Sequence, residues 1–309
     1  MFKKFILPVL KNKKSWPNLI LTLVMALAFI GINVVYVSWV ETFMNAFESK
    51  DFYAFKIALL QFVGIGGVWI ITYGYRSFFR KKLSFVFREI ITESLLKHYK
   101  IHKPNITNLD QRLAEDPIRF SELITSLSLQ ALSSLISLPI YLYWLIVGTP
   151  WYVSVLGISY AIITTLLARR IALPLQKLDY EQQTREANYR YKMVQIRDGK
   201  EIESPNLEEI KINWLSLAKR AKILSFFQSG QNLASNILPL IMLAPAYFLT
   251  GNLTIGALWK IRSIWAEVLD ALSFFVNTYD SIAEVNANAQ RMSELVDNNE
   301  TQEENIDGK

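Results

Sequence analysis

The chain has 309 residues, of which 51% are hydrophobic and 19% charged, and its mean hydropathy is positive. Soluble domains usually carry about 25% charge, so the composition points towards a membrane. With no cysteine and only two histidines, disulfide scaffolds, thiolate metal sites and most histidine-based catalytic sets are excluded. The chain reads as a non-enzyme without cofactor or metal.

Residues 1–14 form a basic arm with five lysines and no acid. Ser15 to Val40 then gives 26 residues without a charge, and Ile57 to Tyr75 gives 19 more. Leu123 to Ala168 is an uncharged run of 46, interrupted by Val147-Gly148-Thr149-Pro150. A bilayer core takes about 20 apolar residues per helix, so this run holds two spans reversed at a Gly/Pro turn. Ile223 to Trp259, 37 residues long, holds one span, a turn at Thr250–Thr254 and the start of another. That last helix carries Lys260, Arg262, Glu267 and Asp270. The sequence therefore predicts six spans, near residues 16–40, 57–76, 124–146, 151–169, 224–249 and 256–280. A soluble helical protein is the alternative, but soluble helices rarely run past about 18 residues uncharged. The first span is too long for a cleavable signal peptide and lacks a small-residue cleavage site.

Basic residues set the orientation. Residues 76–122 hold ten Lys/Arg and residues 169–222 hold twelve, whereas the 41–56 loop holds two and the turns near 148 and 252 hold none. The asymmetry places both termini in the cytoplasm. Tyr36, Trp39, Tyr141, Tyr143, Trp144, Trp151 and Tyr152 fall at the outer helix ends, where an interfacial aromatic belt is expected.

Both long cytoplasmic segments read as helix. The second span continues with apolar residues at three-to-four spacing until Pro104-Asn105 stops it, a rod of roughly 70 Å at about 1.5 Å per residue. Residues 175–200 read likewise, ending at Asp198-Gly199, and Pro205-Asn206 opens a short linker before the chain returns at Leu207. The tail from Ser281 carries seven acids against Arg291 and Lys309. Its end, residues 296–309, is expected to be disordered, and no second domain is expected to follow.

No Gly-x4-Gly-Lys-Ser/Thr loop occurs, so no nucleotide site of that kind is expected. His98 and His102 share a helix face but lack a third ligand at suitable spacing. Two mixed-charge stretches stand out. One is Asp110-Gln111-Arg112-Leu113-Ala114-Glu115-Asp116, followed by Arg119-Phe120, just before the third span. The other is Tyr180 to Arg190, just after the fourth, with Glu181, Arg185, Glu186 and Arg190. Charges four apart within each, as in Arg112/Asp116 and Glu186/Arg190, suit a solvated salt-bridged face. They suit equally a contact that knits the two helical extensions together through charge-assisted bonds.

These motifs carry a resemblance. Leu109-Asp-Gln-Arg-Leu-Ala-Glu-Asp116 with Phe120 resembles a signature of ABCD-type (peroxisomal and YddA-like) ABC membrane domains, and a related signature of SbmA/BacA-type peptide uptake transporters. Tyr180-Glu-Gln-Gln-Thr-Arg-Glu-Ala-Asn-Tyr-Arg190 is similar to a helix of the same superfamily. Ala244-Pro-Ala-Tyr-Phe248 with Gly251-Asn-Leu-Thr-Ile-Gly256 resembles its fifth-to-sixth helix turn, and Ala271-Leu-Ser-Phe-Phe with Tyr279 and Glu284 continues the match. The resemblance covers residues 15–295. It implies an all-α integral membrane fold, the type IV (exporter-like) ABC transmembrane fold, with six helices, long cytoplasmic extensions and a homodimer around a central cavity in the bacterial inner membrane. Lys200-Glu-Ile-Glu-Ser-Pro-Asn206 departs from the ABCD-type continuation of the second motif.

The leading functional expectation is an ATP-independent, proton-driven importer of peptides or other bulky amphiphilic solutes. The alternative is the membrane subunit of an ABC transporter whose ATPase is a separate chain, with the two motifs as docking helices; a receptor or scaffold is a third class. Glu267 and Asp270 are three apart, share one face of the sixth helix, and are the first candidates to carry protons. Asp280 and Glu284, deeper towards the cytoplasm, are candidates to relay them, and Glu115 and Asp116 to act at a cytoplasmic gate. The opposing possibility is that Glu267 and Asp270 only pair with Lys260, Arg262 or the partner subunit.

Overall fold

The computed structural model describes residues 2–102, 109–199, 207–251 and 253–297, and among these the chain is helical apart from short turns. A π-helical turn, Phe2–Ile6, leads into α1 (Leu7–Lys11). Then follow α2 (Trp16–Glu48), α3 (Phe52–His102), α4 (Leu109–Gly148), α5 (Trp151–Arg197), α6 (Glu208–Phe248), α7 (Ile255–Asn277) and α8 (Tyr279–Asp297). The expected helix stop at Pro104-Asn105, the linker at 200–206 and the disordered end from 298 lie outside the described residues.

Four helices are long and apolar enough to cross a membrane: α2, α3 over Phe52–Tyr99, α4 over Leu113–Gly148 and α5 over Trp151–Leu175. The fifth and sixth expected spans fall on α6 and α7, which are more polar. Gln228, Gln231, Asn232 and Asn236 lower the hydropathy of α6, and α7 carries its four charges. The helices also outrun the expected spans. The segment at 41–56, read as a loop, is mostly helix, and only Ser49, Lys50 and Asp51 separate α2 from α3. Lys50 makes the reversal with φ +53°. The Asp51 carboxylate then accepts the backbone N–H groups of Tyr53 and Ala54, at 2.9 and 3.0 Å, capping α3. α3 runs unbroken for 51 residues, about 75 Å at 1.5 Å per residue.

Two apolar clusters organise the bundle. The outer one gathers Val37 of α2, Tyr141 and Leu145 of α4, Val153 and Ala161 of α5, Leu243 of α6 and the inner face of α7 around Trp265. Gly157 makes room for that tryptophan, since a Cβ there would sit 2.6 Å from the indole ring. The other cluster holds Leu83, Phe87, Ile91 and Leu95 of α3, Phe120 of α4, and Val285, Ala289 and Met292 of α8. The basic arm belongs to this second cluster. Its Phe5 and Val9 are buried there, with Phe5 edge-on to Phe120 at 5.9 Å. Lys14 anchors the arm by an ion pair with Glu89, at 2.6 Å, and this carboxylate hydrogen bond holds the Lys14 ammonium above its usual pKa.

The described side chains of the two mixed-charge motifs bond to α8, to α6 or within their own helix. Asp116, 1% exposed, accepts from Nε and Nη2 of Arg291 on α8, both at 3.0 Å. On α5, Gln182 and the backbone of Leu178 accept from the Asn213 amide of α6, at 2.9 and 3.0 Å. Arg185 reaches the Glu209 carbonyl at 3.2 Å. Glu186 accepts from Gln182 at 3.1 Å, and Arg190 donates to the Glu186 carbonyl at 3.4 Å. So α4 is tied to α8 and α5 to α6. Gln111 and Arg112 lie in the first turn of α4, with side chains outside the described ones, and Glu181 is half-buried on α5.

Phe120→Ala removes a fully buried ring from the second cluster and is expected to cost about 3–5 kcal/mol. Gly157→Leu forces a side chain into Trp265 and is expected to cost about 1–3 kcal/mol or more by overpacking. Thermal unfolding in detergent, followed by tryptophan emission, checks both.

Candidate functional site

α7 is the helix around which the polar groups converge. Its N-terminus presents unsatisfied N–H groups, and α2 supplies their acceptors. The Ile255 amide donates to Glu48 Oε2 at 2.8 Å and the Gly256 amide to Asn45 Oδ1 at 2.9 Å, carboxylate and dipole being complementary there. Gly256 permits this approach, because a Cβ would lie 2.2 Å from the Glu41 carbonyl oxygen. One turn on, Lys260 forms an ion pair with Glu41 at 2.7 Å and covers the Trp144 ring at 5.2 Å. Arg262 donates to Asn236 of α6 and lies over the Trp259 ring.

Deeper along α7, Glu267 and Asp270 open into cavities instead of pairing. A cavity of about 230 Å³ lies between α2, α3, α4 and α7 and is lined by Arg76, Gln130, Ser133, Tyr141, Glu267 and Asp270, among others. Arg76 donates to Ser133 Oγ at 3.1 Å and stacks its guanidinium over Phe29 at 4.8 Å. No ion pair joins Arg76 to either carboxylate among the described residues. On the other side of α7, Asp270 also lines a cavity of about 450 Å³ with Gln228, Gln231, Asn232, Ser235 and Asn236 of α6. Asp270 thus stands between two polar spaces.

Of the sequence candidates, Glu267 and Asp270 come together as expected of their spacing, and neither pairs with Lys260 or Arg262, whose partners are on α2 and α6. The others lie apart from them. Asp116 is held by Arg291 near Phe120, and Glu115 beside it is exposed. Glu284 is exposed on α8, and Asp280 lies in the first turn of α8 with its side chain outside the described ones.

Sequence reasoning missed Arg76, Tyr141 and the serine wall. Arg76 reads as the first residue of a cytoplasmic extension, but it turns into the bundle. Tyr141, assigned to the interfacial belt, is 1% exposed inside the outer cluster; that assignment is corrected, whereas Tyr36, Tyr143 and Trp151 are exposed. The signal lay in the uncharged run itself. Gln130, Ser133, Ser134 and Ser137 recur at three-to-four spacing and mark one polar face of α4, as Gln228, Gln231, Asn232, Ser235 and Asn236 do on α6.

The ABC transporter transmembrane region 2 family matches residues 1–202. The chain is 28% identical over 92% of its length to the inner membrane ABC transporter ATP-binding protein YddA of Escherichia coli, covering 57% of that protein. It is 30% identical, over 92% of its length and 47% of the relative, to the uncharacterized ABC transporter ATP-binding protein sll0182 of Synechocystis. To the chloroplastic ABC transporter D family member 2 of Arabidopsis thaliana it is 26% identical, over 89% of its length and 42% of the relative. The chain thus spans about half the length of the curated relatives it matches. An all-helical bundle with charged residues around internal cavities, and this match over most of the chain, agree: the chain belongs to the ABC transporter transmembrane region 2 family, as a multi-pass membrane domain with a role in transport.

Proposed function

We propose that the chain is a six-span importer of the bacterial inner membrane, working as a homodimer with both termini in the cytoplasm. It carries peptides or other bulky amphiphilic solutes on the proton gradient, without ATP, in the manner of SbmA/BacA-type transporters. One observation carries this reading. Glu267 and Asp270 share a polar cavity inside an apolar bundle and have neither ion pair nor hydrogen bond among the described residues.

A charge at bilayer depth costs about 3 kcal/mol or more, so ionisable groups there mark a solute or proton path. The pair takes a proton while its cavity faces outward and releases it when the cavity faces inward. Glu115, Asp116, Asp280 and Glu284 stand on the cytoplasmic side of that route, as gate and relay. A homodimer places the exposed polar face of α6 against a shared aqueous space rather than lipid.

A second reading starts from the relatives, whose names describe ATP-binding ABC transporter proteins. In it an ATP-hydrolysing unit, appended or separate, drives the same membrane domain, and the cytoplasmic ends of α4 and α5 receive its motion.

Vesicles containing only this chain separate the two. An inward-directed proton gradient is expected to drive accumulation of a labelled peptide with no nucleotide present; accumulation only with ATP and a nucleotide-binding unit overturns the first reading. Glu267→Gln and Asp270→Asn keep size and polarity but remove titration, so each is expected to reduce gradient-driven accumulation to the level of protein-free vesicles. If both retain uptake with unchanged pH dependence, the pair is not the proton carrier.

A further inference from the structure

The cavity between α2, α3, α4 and α7 holds charges of both signs, and they do not neutralise each other. On the α3 side stands Arg76, whose one hydrogen bond among the described residues goes to Ser133. On the α7 side stand Glu267 and Asp270, with no hydrogen-bonding partner among them. A direct Arg–carboxylate pair would be the usual resolution of such a site, because the guanidinium fork matches a carboxylate bidentately. Here a space of about 230 Å³ separates the groups instead.

A third polar side chain lies beside them. Tyr141 is 1% exposed and lines this cavity with its ring, while its hydroxyl, closed off by the surrounding helices, has no hydrogen-bond partner among the described residues. Most buried hydroxyls are satisfied. Burying one unpaired costs about 1–3 kcal/mol. The surrounding helices hold it there through Leu145, Ile264 and Val268 of the same cluster.

We propose that this cavity binds the two ends of a small amphoteric solute, one that carries an ammonium and a carboxylate together, such as a free amino acid or an unblocked dipeptide. The carboxylate of the solute lies on Arg76 and accepts also from Ser133. Its ammonium lies between Glu267 and Asp270. Size sets the class. At about 30 Å³ per water, the cavity holds roughly eight waters, and it falls below the 300–1,000 Å³ common for drug-sized ligands. It therefore takes a short zwitterion whole, or the terminus of a longer chain that continues into the larger cavity past Asp270. Both charges of such a solute are met.

The inference rests on the transport reading for where the solute goes, but binding itself does not. The test accordingly measures binding first, on the full chain in phosphatidylcholine nanodiscs, by calorimetry. The probes are alanine, dialanine, N-acetyl-dialanine and dialanine amide. Dialanine is expected to bind about tenfold or more tightly than either blocked form, because each block removes one charge-assisted contact. Alanine binding as tightly as dialanine assigns the site to free amino acids, and weaker alanine binding assigns it to peptide ends.

In Arg76→Gln the free acid and the amide are expected to bind equally, while the preference for a free amine remains; in Asp270→Asn the pattern is reversed. Equal binding of free and blocked probes by the wild-type chain, or no binding of any, overturns the site, whether or not the variants fold. Selective binding without uptake on either a proton gradient or ATP would leave the site standing and remove the transport reading.

Discussion

Four charged side chains on one helix packed inside an apolar bundle are the constraint around which this molecule is arranged. Lys260, Arg262, Glu267 and Asp270 of α7 would each be costly in lipid, so α7 is enclosed by α2, α4, α5 and α6, each of which turns polar groups towards it. Glu41 answers Lys260, Asn236 answers Arg262, and Glu48 with Asn45 answer the bare amides at its start. Among the described residues, the two carboxylates are answered by space. The distribution separates α7 into a half clamped by its neighbours and a half that opens into cavities.

Much of this was legible beforehand, because a missing charge is a strong signal at membrane length. The reversals at Gly148–Pro150 and near Gly251, the helix end at Asp198-Gly199 and the shared face of Glu267 and Asp270 all follow from local rules of turn and period. What was not legible depends on which neighbour a rod meets. Arg76 has the same basic character as Arg80 and Lys81, and nothing in its spacing says that it bends inward to Ser133. Tyr141 has the same sequence surroundings as the exposed Tyr143 two residues on, yet that offset places the two on opposite faces of α4. Asp116 lies four residues from Arg112, but its partner is Arg291, 175 residues away. Long-range pairing of this kind leaves no periodic trace in one sequence.

The two apolar clusters divide the labour between holding the bundle and opening it. The outer cluster ties α2 and α4–α7, and the second ties the basic arm, α3, α4 and α8. The polar cavity, lined by Thr278 at the start of α8 and Tyr141 at the outer cluster, lies between them. Serine and glutamine line it, and their hydrogen bonds exchange readily with water, so this waist is held by weaker and more replaceable contacts than either end.

α4 is the helix that places fully buried side chains in both clusters, Phe120 in one and Tyr141 with Leu145 in the other. Pro139 sits between them, inside the helix. Its ring removes one backbone hydrogen bond and crowds the preceding turn, so between the two clusters α4 bends most easily there. In mechanical terms the bundle is two stiff blocks joined by a strut with one compliant joint. A tilt of one block against the other concentrates its curvature at Pro139, two residues from the hydroxyl of Tyr141.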